Sequence, residues 1–247
     1  MLYFNVFQLR GTIFISKFIG YSTSNSAWLK QLFPNTIECP IPQTTIQFSP
    51  GSLQITQQPQ LEENAPWQLV EGNTRIVFNP NRIDIIRDVV TVQDSAEDNF
   101  CNFCSDAFLK IVESQSLVPT RLAYAPIYAK DRDDSFNSMM LWNNLLTHPS
   151  YGDIKPEEVS LTYNYRVEKS IGERSVPINF KTFISDAQKQ LPTGIVSGCV
   201  TISLDINTAV NPVVNHAQSL EYGVHDIEFF FKTAYRWGKE FLSNNIN

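Results

Sequence analysis

Cys101 and Cys104, in the run DNFCNFC at 98–104, make the chain's single Cys-x-x-Cys pair. That spacing serves zinc sites and thiol–disulfide centres. A structural zinc needs two further ligands, normally from a second close pair. Cys39 and Cys199 are isolated, and His148, His216 and His225 supply no such pair. A redox pair belongs at a helix start after a strand, where the dipole lowers the thiol pKa. These cysteines fall a turn or more inside a helical pattern, among phenylalanines. Cys101, Cys104, Phe108 and Ile111 recur at spacings of three and four, which predicts one apolar stripe of a helix over 95–114. On such a stripe a thiol is a small hydrophobe. No metal and no cofactor is assigned.

Three other groups carry charge in patterns that chemistry could use. Asp131, Asp133 and Asp134 stand just past a predicted strand, where carboxylates can hold a divalent cation. The glycine and distal glutamate of a calcium loop are missing, and Lys130 and Arg132 balance the charge, so a solvated loop is favoured. His225, Asp226 and Glu228 open the last predicted helix. A His–Asp pair can exchange protons, but adjacent helical residues do not face each other, and acids at a helix start complement its dipole. In RIDIIRD (82–88), Arg82, Asp84, Arg87 and Asp88 suit cross-strand ion pairs on an exposed sheet face or a polar recognition surface.

The elements that would position these groups are legible from punctuation and periodicity. SAWLKQLFPN predicts a short helix capped at Ser26 and stopped at Phe33 by Pro34. TTIQF-SPG-SLQIT predicts a hairpin. Turns at 71–73 and 79–81 predict a meander. Ser95 followed by Asp98 resembles a capping box before the cysteine helix. PTRLAYAPIYAK (119–130) reads as a strand and DSFNSMMLWNNLLTHP as a helix over 135–147. A long hairpin around SIGER, a further strand in GIVSGCVTISLDI and a helix over 220–243 complete the chain.

The resulting expectation is an α+β protein of two similar halves. Each is an antiparallel sheet with a long amphipathic helix on one face, divided as 1–150 and 151–247.

Composition narrows the function. With 247 residues, 43% hydrophobic and 18% charged, the chain can bury a substantial core. A net charge of −6 without a Lys/Arg cluster argues against nucleic acid. Ten glycines, none in a phosphate-cradling run, argue against a nucleotide loop. The Gly-x-Ser-x-Gly, His-Glu-x-x-His and dinucleotide motifs are absent from the sequence, and the reading leans against an enzyme. The apolar N-terminus is broken by Asn5, Gln8 and Arg10, which suits strands better than a signal peptide or a membrane span. The cytoplasm is the expected compartment.

The order of features resembles a sporadically distributed, uncharacterised bacterial family. The matching stretches are WLKQLFPN, the Trp-led meander WQLVEGNTRIVFNPNRIDII, the helix around Phe108, and TRLAYAPIY. VTISLDIN and the closing VHDIEFFFKTAYRWGKEFL complete the match. The family's Arg-Tyr-Asn ending of the middle strand is replaced here. The resemblance implies a fold and a bacterial or phage origin, and its sporadic distribution implies a defence or counter-defence setting. It implies no catalytic residue.

The expected function is therefore a non-enzymatic protein-binding or assembly component, partnered by another protein or by itself. Trp67, Arg82, Asp84, Trp142 and Trp237 are the candidate interface residues. The alternatives are a small-molecule sensor, or a hydrolase with a dispersed acidic site around Asp131, Asp133 and His225.

Overall fold

The structure is a computed structural model. It describes residues 4–41, 43–49, 52–58, 61–89, 96–132, 160–190, 196–208 and 221–245. The helix expected over 135–147 and the Ser95 cap lie outside the described residues.

The fold is mixed α+β, built on a large antiparallel sheet. Its strands are β1 (Asn5–Phe14), β2 (Ile37–Pro40), β5 (Trp67–Glu71), β6 (Thr74–Asn79), β7 (Arg82–Asp88), β8 (Arg121–Tyr124), β9 (Ile127–Asp131), β10 (Ser160–Ile171), β11 (Arg174–Gln190) and β12 (Val196–Thr208). Their order is β10-β11-β12-β8-β1-β7-β6-β5-β2, with β9 pairing both β1 and β12. β3 (Gln43–Ser49) and β4 (Ser52–Gln58) form a separate two-stranded antiparallel sheet, with Ser49 opposite Ser52.

The predicted turns explain the meanders. Gly72 and Gly172 adopt φ of +57° and +59° in the two-residue links β5–β6 and β10–β11, a region open to glycine at no steric cost. The strand expected over 119–130 is instead two, β8 and β9, separated by Ala125-Pro126. Proline has no N–H to give the ladder. β1 answers this break with a register shift between Val6 and Gln8. Ala125 and Arg10 still exchange backbone bonds of 2.7 and 3.1 Å, and the Pro126 carbonyl accepts from Leu204.

Helix α1 spans Thr23–Leu32. Its cap is Ser22, whose Oγ accepts from the Asn25 N–H at 3.1 Å, rather than the expected Ser26. Ser26 lies one turn inside and is buried. Pro34 acts as expected: Phe33 leaves the helical region at φ −132°, ψ 70°.

Helices α2 (Ala96–Gln115) and α3 (Val224–Asn245) pack on each other and on one face of the large sheet. Phe108 meets Phe231 at 5.1 Å between ring centroids. The small residues of the sheet and of α3 set how close the layers come. A Cβ on Gly11 of β1 would lie 2.7 Å from Cys104 Sγ, and one on Gly238 of α3 would lie 3.1 Å from Ile206. The core between the layers is continuous. It includes Leu9, Ile13, Ile83, Ile85, Phe100, Leu122, Leu204 and Phe230.

Helix α2 ends in paired bonds from Leu117 N–H to the Val112 carbonyl and from Ser116 N–H to the Glu113 carbonyl, a Schellman arrangement. Ser116 supplies the left-handed residue at φ +48°.

Candidate functional site

Strand alternation sends neighbouring residues of β7 to opposite faces. Ile83 and Ile85 enter the core under the helices, while Arg82 and Asp84 face away from it. There Asp84 is only 2% exposed. Its Oδ1 accepts from Thr12 Oγ1 at 2.7 Å, and its Oδ2 accepts from Asn79 Nδ2 and Arg82 Nε, both at 2.9 Å. Arg10 Nε lies 4.0 Å from the same carboxylate. This satisfies the buried carboxylate and leaves the Arg10 and Arg82 side chains partly in water, able to meet an acidic partner group. A second cluster continues the row: Asp88 accepts from Gln8 Nε2 at 2.7 Å and from Arg75 at 3.1 Å.

The sheet face expected to be exposed is therefore partly closed over Asp84. Arg87 does not join it. Its odd position places it on the helix side, where its guanidinium lies 5.3 Å from the Phe100 ring centroid and 5.2 Å from that of Phe103.

On the helix side, Glu97 in the first turn of α2 is buried. Its Oε1 accepts from Tyr124 at 2.9 Å and Tyr128 at 2.7 Å, and Lys239 Nζ of α3 lies 3.6 Å from Oε2. Burial, followed by neighbouring negative charge, pushes both phenols well above their ordinary range. The site joins α2, α3, β8 and β9. Sequence reasoning missed it, because nothing local distinguishes Glu97 from the dipole-complementing Asp98 beside it.

Cys101 and Cys104 lie fully buried on the same helix, turned to the sheet. Burial raises both thiols above their ordinary range. A protonated, inaccessible thiol is a poor nucleophile and a poor ligand. Among the described residues, no group of three or more His, Cys, Asp and Glu is placed to hold a metal ion.

The two ends of the sheet differ. β2 has four residues and finishes in Pro40, both features that blunt an edge. β10 runs twelve residues, pairs with β11 without a register shift, and pairs with no other described strand. Tyr165 and Val167 on it are 45% and 43% exposed.

The predicted residues are spread across this frame. Trp67 is wholly buried, donates its indole N–H to the Ile19 carbonyl at 3.0 Å and stacks on Phe78. Trp237 is half-buried between Phe230 and Lys169. Arg82 and Asp84 touch each other on the other face of the sheet. Trp142, Asp133, Asp134, His148 and His216 lie outside the described residues.

Asp131 and His225 are not brought together. Asp131 stands opposite Cys199 on β12. His225 is next to Asp226, which binds Arg174 and the Gly223 N–H at the end of the sheet where Ile178 meets Thr208. Nine residues of β12, roughly 30 Å at the usual rise, separate those ends. No protein-family model matches the sequence, and no curated protein does.

Proposed function

We propose that this protein is a non-enzymatic binding or assembly component that receives a partner's strand along the edge of β10. The observation that carries the reading is the contrast between the two sheet edges. One is short and closed by Pro40; the other offers twelve residues of regular backbone. An edge of this length that no other described strand pairs is a ready template for strand addition, in which main-chain bonds supply affinity and alternate side chains supply specificity. Arg82, with Arg10 beside it, is a second surface suited to an acidic segment of the same partner.

The strand order also supports two related halves. β1-β7-β6-β5 followed by α2 has the same plan as β9-β12-β11-β10 followed by α3. On this reading the halves join in the turn after α2 rather than at the expected 150/151 boundary, and β1 meets β8 and β9 at the seam. The layout resemblance adds a bacterial defence or counter-defence setting. The separation of Asp131 from His225 gives the hydrolase reading no support.

The test is capture of partners by tagged protein, comparing the natural chain with Arg166→Pro. A proline ring at Arg166 blocks the edge of β10 that faces away from β11 and leaves the bonds to β11 in place. A stoichiometric protein partner held by the natural chain and lost by the variant supports the reading. The same partner held equally by both overturns it.

A further inference from the structure

The β10 edge carries the means to recognise itself. The two-residue turn Gly172-Glu173 is flanked by the pair Ile171–Arg174. A turn of this kind bonds its first residue to its fourth, and bonded pairs alternate along an antiparallel ladder. The odd residues of β10 therefore point their backbone groups at β11. The even residues, from Thr162 to Ser170, point theirs outward.

A second copy of the edge can pair only by matching outward residues with outward residues, which restricts the two-fold register. Centring on Arg166 or on Glu168 sets like charges opposite each other, which is unfavourable. Centring on Val167 sets Arg166 of each copy opposite Glu168 of the other, twice over. The same register sets Val167 against its own copy and Tyr165 against Lys169. Those are the contacts that cover the two apolar side chains left most exposed on this strand.

We infer that the partner at this edge is a second copy of the chain, joined by antiparallel β10–β10 pairing centred on Val167, so that the two sheets become one. This rests on the edge-binding reading above and adds the identity of the occupant, its register and its symmetry. An isologous two-fold contact of this kind closes on itself and does not propagate into fibres.

The experiment measures the mass of the full chain in solution by light scattering across a concentration series, with three sets of variants. The natural chain is expected to double from its 28.1 kDa monomer mass as concentration rises. Arg166→Glu and Glu168→Arg, which each place like charges across the two-fold, are expected to shift the midpoint at least tenfold toward monomer. The double exchange R166E/E168R restores complementarity and is expected to return the midpoint to within about threefold of the natural value, an outcome that misfolding cannot mimic.

Val167→Cys is expected to form an intermolecular disulfide on mild oxidation, because residues at a two-fold non-bonded pair lie about 4.5 Å apart at Cα. Asn164→Cys, which this register sets opposite Ser170 of the other copy, is expected to form no intermolecular disulfide under the same oxidant. A natural chain that remains monomeric throughout overturns the inference, as does a dimer indifferent to the charge variants. If the natural chain is monomeric while Arg166→Pro still abolishes capture of a different protein, the self-pairing fails and edge binding stands. If Arg166→Pro alters neither dimer nor capture, both fail.

Discussion

Tyr128 donates its phenolic O–H to Glu97 Oε1 across 2.7 Å, and so ties β9 to the first turn of α2. Both groups are buried, so each is the other's substitute for water. Tyr128→Phe is expected to destabilise the fold by about 1–2 kcal/mol, the usual worth of such a bond. Glu97→Ala should do more, since it strands two phenols at once. Urea unfolding of the two single variants and the double variant checks this. Additive losses would show that the residues do not act on each other.

Alkaline pH should loosen the same region. The ordinary values are 9.0 for these thiols and 10.0 for these phenols, and burial holds Cys101, Cys104, Tyr124 and Tyr128 above them in the folded chain. As pH rises through 9 and then 10, the unfolded chain releases these protons while the folded chain keeps them. The unfolded state is thereby favoured. The melting temperature should hold below about pH 8.5 and fall steadily above pH 9. Replacing both cysteines with alanine should move the onset of the fall toward pH 10. A melting temperature flat to pH 11 would contradict the account.

Gly11 lets β1 lie close against α2, with 2.7 Å between a Cβ built there and Cys104 Sγ. Gly11→Ala should cost about 1–3 kcal/mol, as overpacking of a filled core does. Shortening the opposing side chain in Gly11→Ala/Cys104→Ala should recover part of that loss. Thermal melts of the single and double variants decide it; no recovery would place the strain elsewhere.

Asp84→Ala should destabilise by about 2–3 kcal/mol, because Thr12, Asn79 and Arg82 lose their shared acceptor. That is below the roughly 3–5 kcal/mol seen when a fully buried ion pair is broken, since Arg82 keeps access to water. Chemical denaturation reads the value. A neutral result would mean that water reaches these donors freely.

Ser116 holds a left-handed backbone at φ +48° to close α2. Ser116→Gly removes the Cβ clash at that position and should stabilise by about 0.5–1 kcal/mol. A higher melting temperature is the expected readout. A lower one would mean that the serine side chain supports the turn in a way its backbone geometry does not require.

Much of this architecture is written locally. The three- and four-residue spacing of Cys101, Cys104, Phe108 and Ile111 determines a helix with one buried side. Alternation in RIDII determines a strand with two unlike faces. Gly72 and Gly172 determine where two hairpins turn. These are properties of adjacent residues and 3.6- or 2-residue periods, so the sequence alone carries them.

What lies across the sheet is a different matter. That Glu97 rather than Asp98 is buried depends on Tyr124 and Tyr128 arriving from β8 and β9, some thirty positions away. That Asp84 is enclosed depends on Thr12, 72 residues earlier. Trp67 could have been an exposed anchor or a core ring, and the Ile19 carbonyl and Phe78 make it core. The order of strands likewise leaves β10 at an edge and β12 inside, although both read as regular strands. Burial, polar satisfaction and edge position are set by which distant segments pair. Local periodicity holds no record of that pairing, so only the tertiary structure decides it.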